Sequence, residues 1–444
     1  MPRTITAKNL LNKRVSRSDC ILLVNPPVEE TRYAWLRWNQ PLDLLKIGGY
    51  LKESIGCEVE LLDFMKPDSK GKVLQQRLPG SRQYRNIGNE RYPMRRYGLP
   101  YNALTDWVVK RKAASAKLPT QVWITSLCSY WFQSIAQVCR EARQALPDAQ
   151  VVLTGSYAQL MSHHATDTCP ADFIVTQPFD ITDSTAAFGL YQENPPPFAA
   201  LRLQPKTAIA EIKAAIKKDV HDFTFFEEDI CIGDGEPLIE VVQNTENLHK
   251  HMRFHVLCGL DPRKLTPKIA QILAKKCFVN LHIEEARDGE QLAIKAYRRA
   301  IAYLSEAGAK IPARPVSGFI WVGRPEENLD SVIARSFTVL ELLGSFIFKP
   351  YTPTPGSMEH LHYADYLEAI PHQDWSPHVF PFSELNDISR AEYHDLYRMA
   401  AFLNDRIRGI AFDFLKGTKG LELLKESLRR EIWKLEPSSL SVVD

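Results

Sequence analysis

Residues 21–27 read ILLVNPP. Ile21 to Val24 are apolar without alternation and Asn25 closes the run, the pattern of a short strand covered on both faces. Pro26 and Pro27 end it, because proline brings no N–H to a ladder. A strand covered on both faces needs helices around it, and Pro41–Glu53 (PLDLLKIGGYLKE) places Leu44, Leu45, Ile47 and Leu51 at helical spacing. Four more strands are read at 58–64 (EVELLDF), 121–127 (QVWITSL), 150–156 (QVVLTGS) and 171–176 (ADFIVT), with a helix over Ser134–Ala145. Strands alternating with helices predict an α/β fold with a doubly wound parallel sheet. Ligands of such sheets sit beyond the carboxyl ends of the strands. That brings Asn25, Pro26, Pro27, Ser126, Leu127, Ser129, Thr154, Gly155 and Ser156 around one mouth as candidate binding residues. His163 and His164, just after the fourth strand, either face a ligand or start a solvated helix.

A second series follows. Strands are expected at 221–229 (HDFTFFEED), 252–260 (MRFHVLCGL), 278–286 (FVNLHIEEA), 312–323 (PARPVSGFIWVG) and within 344–357 (GSFIFKPYTPTPGS), separated by helices over Leu265–Lys276, Gln291–Ala307 and Glu327–Leu343. This order predicts a partial (β/α) barrel, whose ligands gather at the carboxyl ends of the strands. The candidates there are Glu227, Glu228, Asp229, His255, His282, Glu284, Glu285 and Arg324. Crowded carboxylates raise one another's pKa and suit general acid–base work. They also suit a divalent cation, or simply pair with lysine and arginine.

The organisation expected is a first domain over 1–180 with an irregular insert at 65–120, a linker over 181–200, a barrel over 201–375 and a helical extension over 376–444. Pro195, Pro196 and Pro197 stiffen the linker. Within the insert, Lys66 to Arg96 is basic with Tyr84, Tyr92 and Tyr97 interleaved. Such a stretch either tracks a nucleic-acid backbone or runs over the sheet with a solvated charged face, and the second is the expectation.

The 444 residues are 45% hydrophobic and 24% charged with a net charge of +2, which describes ordinary globular domains and gives no global field for nucleic acid. No apolar run reaches the ~18 residues of a membrane span, and the basic N-terminus lacks the apolar core of a secretory signal. Eight dispersed cysteines suit a reducing cytoplasm. The expected partner is therefore a small-molecule ligand, with neither a membrane nor nucleic acid.

In this order, NPP, PLDLLKIGGYLKE, ITSL, VVLTGSYAQ, HIEEA, GFIWVGRPEEN and YTPTPGS resemble the cobalamin-binding radical S-adenosylmethionine proteins. The resemblance runs over about residues 20–360 and implies a Rossmann-like, cobalamin-binding domain, a radical SAM-type partial TIM barrel and a C-terminal helical extension. It places a corrin at the mouth described above, held without a lower histidine ligand, since D-x-H-x-x-G is absent. It places S-adenosylmethionine at Glu284, Glu285, Gly318 and Gly323, and sets Glu227, Glu228 and Asp229 at a catalytic strand end. GFIWVGRPEEN is one residue longer than the family's G-x-I-x-G-x-x-E element.

One family element is missing. The cysteines are Cys20, Cys57, Cys128, Cys139, Cys169, Cys231, Cys258 and Cys277, and the closest two, Cys128 and Cys139, are eleven residues apart. A [4Fe–4S] cluster needs several thiolates converging on one small volume, which the family supplies from a C-x-x-x-C-x-x-C loop. Here the chain runs from Pro197 straight into the helical stretch at Pro205. No iron–sulfur cluster is expected, nor reductive cleavage of S-adenosylmethionine. The function expected is binding of cobalamin, a small substrate or both, as a non-catalytic partner of an active radical SAM paralogue or as a sensor. The alternative is a cobalamin-dependent methyltransferase, because a methyl cation equivalent passes between cobalt and a nucleophile without a radical.

Overall fold

The computed structural model describes residues 2–407 except 33, 35–39, 69–70, 182, 192–196, 226–229, 286–289 and 310–315. The chain divides into two compact units. The first is Met1–Phe223 with Asn247–Lys250 and Pro353–Val379; the second is Thr224–Glu246 with His251–Thr352 and the chain from Phe380. After Thr352 the chain returns to the first unit for 27 residues before it rejoins the second.

Strands of the first unit are β1 (Arg3–Ile5), β2 (Cys20–Asn25), β3 (Val28–Thr31), β4 (Glu58–Asp63), β5 (Gln75–Arg77), β6 (Tyr84–Ile87), β7 (Glu90–Tyr97), β8 (Gln121–Thr125), β9 (Gln150–Thr154), β10 (Phe173–Val175) and β11 (Ala199–Leu201). Its main sheet has the order β1-β10-β9-β8-β2-β4, with every adjacent pair parallel. The five expected strands, numbered in sequence, lie in the order 2-1-3-4-5. The direction of winding reverses between β2 and β8, and the crevice of such a sheet opens at the carboxyl ends there. Ile21 to Val24 are fully buried, as their unbroken apolar run requires. One face packs on the helices Ala103–Ala113 and Phe132–Ala145 through Leu104, Val108, Ile135, Val138 and Ala142. On the other, Gly48 of the helix Leu42–Tyr50 lies against Leu23 and Val59. At about 25 cal/mol per Å² of apolar surface, this two-sided burial is the main favourable term of the unit.

Residues 65–120 are more ordered than expected. β7 pairs antiparallel with β3, β5 and β6, and a helix spans Ala103–Ala113. The segment ERYPMRRY buries Tyr92, Met94 and Tyr97, while arginines of the insert find partners within the protein. Arg96 is 3.0 Å from Glu29, Arg82 also binds Glu29, and Arg91 lies 4.0 Å over the Tyr84 ring.

The second series of strands is β12 (Asp222–Phe225), β13 (Arg253–Leu260), β14 (Phe278–Glu284), β15 (Val316–Val322) and β16 (Phe346–Pro350). They lie side by side in chain order, and β13 to β16 pair in parallel. Helices Pro267–Leu273, Glu290–Glu306 and Leu329–Leu343 fill the crossovers. Gly318 allows one of them to approach: a Cβ there would stand 2.1 Å from Val339 Cγ1. The helix Arg390–Ile407 packs beside β16, where Asn404 bonds both backbone groups of Phe346. Among the described residues no helix is long and apolar enough to cross a membrane.

Candidate functional site

In the first unit, the residues expected to face a ligand bind one another. The Ser126 hydroxyl donates to the Thr154 carbonyl and accepts from the Ala158 N–H at 3.2 Å. Gly155, with φ +92°, crosses so close that a Cβ would be 2.4 Å from the Ser126 carbonyl oxygen. Asn25 donates to Asp63 at 2.7 Å, and Asp63 also accepts from Tyr191 at 3.0 Å, which ties the ends of β2 and β4 together. Pro26, Pro27 and Ser129 are buried, Ser156 starts a short helix, and Leu127 is exposed.

Residues the sequence did not single out complete this crevice. Glu30, on β3 just after the two prolines, is buried. It accepts from the Trp131 indole at 3.3 Å and from the Ser376 hydroxyl at 2.6 Å. His164 does turn inward: its Nδ1 is 2.6 Å from the Tyr157 hydroxyl. Its ring stacks on His372 at 4.1 Å, and Phe132 meets both rings edge-on. Burial pushes His164 below the usual imidazole range, opposed by Asp167, and pushes the Tyr157 phenol up. With its hydroxyls engaged by main chain and its aromatic groups by residues 372–376, the crevice in this arrangement does not fit a corrin.

The sheet of the second unit is built differently. Residues on one side of β14 to β16 are apolar: Leu281, Ile283, Val316, Ile320, Val322, Phe346 and Phe348 are buried. The alternate residues become polar toward the carboxyl ends. Phe278, whose ring lies 5.4 Å from that of Phe254, gives way to Asn280, His282 and Glu284 along β14. Asn280 bonds His255 of β13 at 2.9 Å, and Ser317 of β15 bonds Ser345 at 2.7 Å. Glu284 lies 3.4 Å from Lys349 of β16, both partly exposed. The Lys349 ammonium sits 4.3 Å over Trp321 and 5.5 Å over Phe319, and the Arg324 guanidinium is 5.9 Å from the Trp321 ring. The face combines a carboxylate, two cations, two imidazoles and two aromatic rings.

Glu284 and Glu285 point to opposite sides. Glu285 accepts from Arg335 at 2.7 Å and from the Trp321 N–H at 3.1 Å. Arg335 also binds Glu327, which accepts from the Gly323 N–H at 2.8 Å and from Tyr393 at 3.0 Å. Removing one partner from such a buried ion network leaves an uncompensated charge, a cost of about 3–5 kcal/mol. Glu285, Gly318 and Gly323 therefore have evident structural work: ion pairing, helix approach and anchoring of Glu327. Glu227, Glu228 and Asp229 lie outside the described residues, so the catalytic assignment rests on sequence alone. Lys349, Phe319, Trp321 and Asn280 were missed, although the alternation in FVNLHIE, VSGFIWV and FIFKP carried the signal. No protein-family model matches the chain, and no curated protein matches it.

Proposed function

We propose that the chain is a cluster-free ligand-binding protein: a Rossmann-like domain joined to a partial (β/α) barrel of radical SAM type, acting as a sensor or as the non-catalytic partner of an active paralogue. One observation carries the ligand-binding part. A parallel sheet is normally apolar on both faces, yet the alternate positions of β13 to β16 hold His255, Asn280, His282, Glu284, Ser317 and Lys349. Toward the strand ends these groups form a polar patch in which Glu284 and Lys349 pair yet stay partly exposed, so that a ligand's own charges can compete for them.

The donor set favours a zwitterion bearing a flat heteroaromatic ring, the class of S-adenosylmethionine. Glu284 would hold an ammonium, Lys349 or Arg324 a carboxylate, and Phe319 or Trp321 the ring. Bound there, S-adenosylmethionine supplies an activated methyl or adenosyl group. The residues themselves bind and orient it; they hold no electron source for reductive cleavage. A corrin stands as a proposal for the first unit only in a different arrangement of its crevice.

Calorimetric titration with S-adenosylmethionine tests this reading. Saturable micromolar binding is expected, weakened at least tenfold by Glu284→Gln and by Lys349→Met. Absence of binding at millimolar ligand, or equal binding by both variants, contradicts it.

A further inference from the structure

The segment Pro353–Val379 belongs to the first unit and lies against the loops that follow β2, β8 and β9. We propose that it is a lid seated in that crevice by the stacked imidazoles of His164 and His372, and that protonation of the pair opens it.

The seat is aromatic. His372 stacks on His164 at 4.1 Å, packs on Trp375 at 4.1 Å and meets Phe132 at 5.7 Å. The Trp375 indole donates to the Leu367 carbonyl at 2.8 Å, which folds the lid on itself. Ser376 reaches Glu30 at 2.6 Å, and Val379 packs with Ile87 and Tyr92. Neutral imidazoles stack well, whereas two imidazoliums at this separation repel at low local dielectric. Among the described residues, His372 Nε2 and both ring nitrogens of His360 are buried without a hydrogen-bond partner.

The charges around the latch are few. Asp167, on the helix Ser162–Thr168, faces His164, and Glu368 faces His360. Glu30 faces His378, and Asp374 is held by Arg85 at 3.2 Å. The groups acting on His372 are His164 and His360, both cations when protonated. Burial, then these two neighbours, push His372 down to about 3. Burial also pushes His164, His360 and His378 down.

The sign follows from linkage. An opened lid returns His372 to its ordinary value of 6.5, so the open form binds the extra proton between pH 6.5 and about 3. The closed form is favoured above that range and is lost as pH falls into it. From pH 7.5 to 5.0, His372 alone shifts the closed-to-open ratio by about 30-fold. That the lid gates a ligand rests on reading the crevice as a ligand site; the latch itself does not.

Hydrogen–deuterium exchange of the full chain, corrected for intrinsic rates, tests the latch. Peptides covering 355–378 and 126–132 are expected to lose about 30-fold protection between pH 7.5 and 5.0 in the wild type. His372→Phe and His372→Gln, two variants in case one fails to fold, should lose far less. Unchanged protection in the wild type, or equal opening in a folded variant, overturns the proposal. Hydroxocobalamin added at both pH values separates the two readings. Co-elution on gel filtration at pH 5.0 alone supports gating. No corrin at either pH, with opening intact, removes the corrin reading and leaves the lid.

Discussion

The two parallel sheets end differently. At the carboxyl ends of β2, β8 and β9, polar groups turn back into the protein: Asn25 to Asp63, Ser126 to the Thr154 carbonyl, Glu30 to Trp131 and Ser376. At the ends of β14 to β16, Glu284 and Lys349 remain partly exposed beside aromatic rings. Strand-end chemistry alone does not distinguish these outcomes. What distinguishes them is a chain segment, Pro353–Val379, that returns to the first unit.

Substitutions sharpen this contrast, because polar groups engaged by the protein should govern stability and those facing outward should govern binding. The largest loss is expected from Arg335→Met, which leaves Glu285 and Glu327 buried beside no cation. A cost of about 3–5 kcal/mol should appear in urea denaturation and shrink when Glu327→Gln is added. Gly155→Ala forces a Cβ onto the Ser126 carbonyl at positive φ and should cost about 3 kcal/mol, read from the same transition. Ser126→Ala strands the Thr154 carbonyl and the Ala158 N–H, for about 1–3 kcal/mol. The smallest stability effect belongs to the second sheet. Glu284→Gln should move the midpoint by less than about 1 kcal/mol while weakening S-adenosylmethionine at least tenfold. If Glu284→Gln destabilises as strongly as Ser126→Ala, the contrast fails.

Much of the architecture was legible because buried parallel strands write themselves as apolar runs: ILLVN, QVWIT and QVVLT all became strands of one sheet. The edge strand β1 escaped because three residues, RTI, show no period. The antiparallel ribbon escaped because alternating arginine and tyrosine in ERYPMRRY looks like charge rather than a half-buried face. Topology gave the strand order that defines a switch point but not the segment that packs there, since Glu30 meets Ser376 across 346 positions of sequence. Pattern has no access to a contact of that separation. In the second sheet, the acidic residues drew attention by type, and Lys349, the partner that gives Glu284 its setting, was passed over in FIFKP.

The central claim is that this scaffold binds without radical cleavage. Anaerobic reconstitution with iron and sulfide, followed by S-adenosylmethionine and dithionite, tests it most directly. Bound S-adenosylmethionine, iron far below one cluster per chain and no 5′-deoxyadenosine are predicted. Near-stoichiometric cluster iron with steady release of 5′-deoxyadenosine would contradict the account.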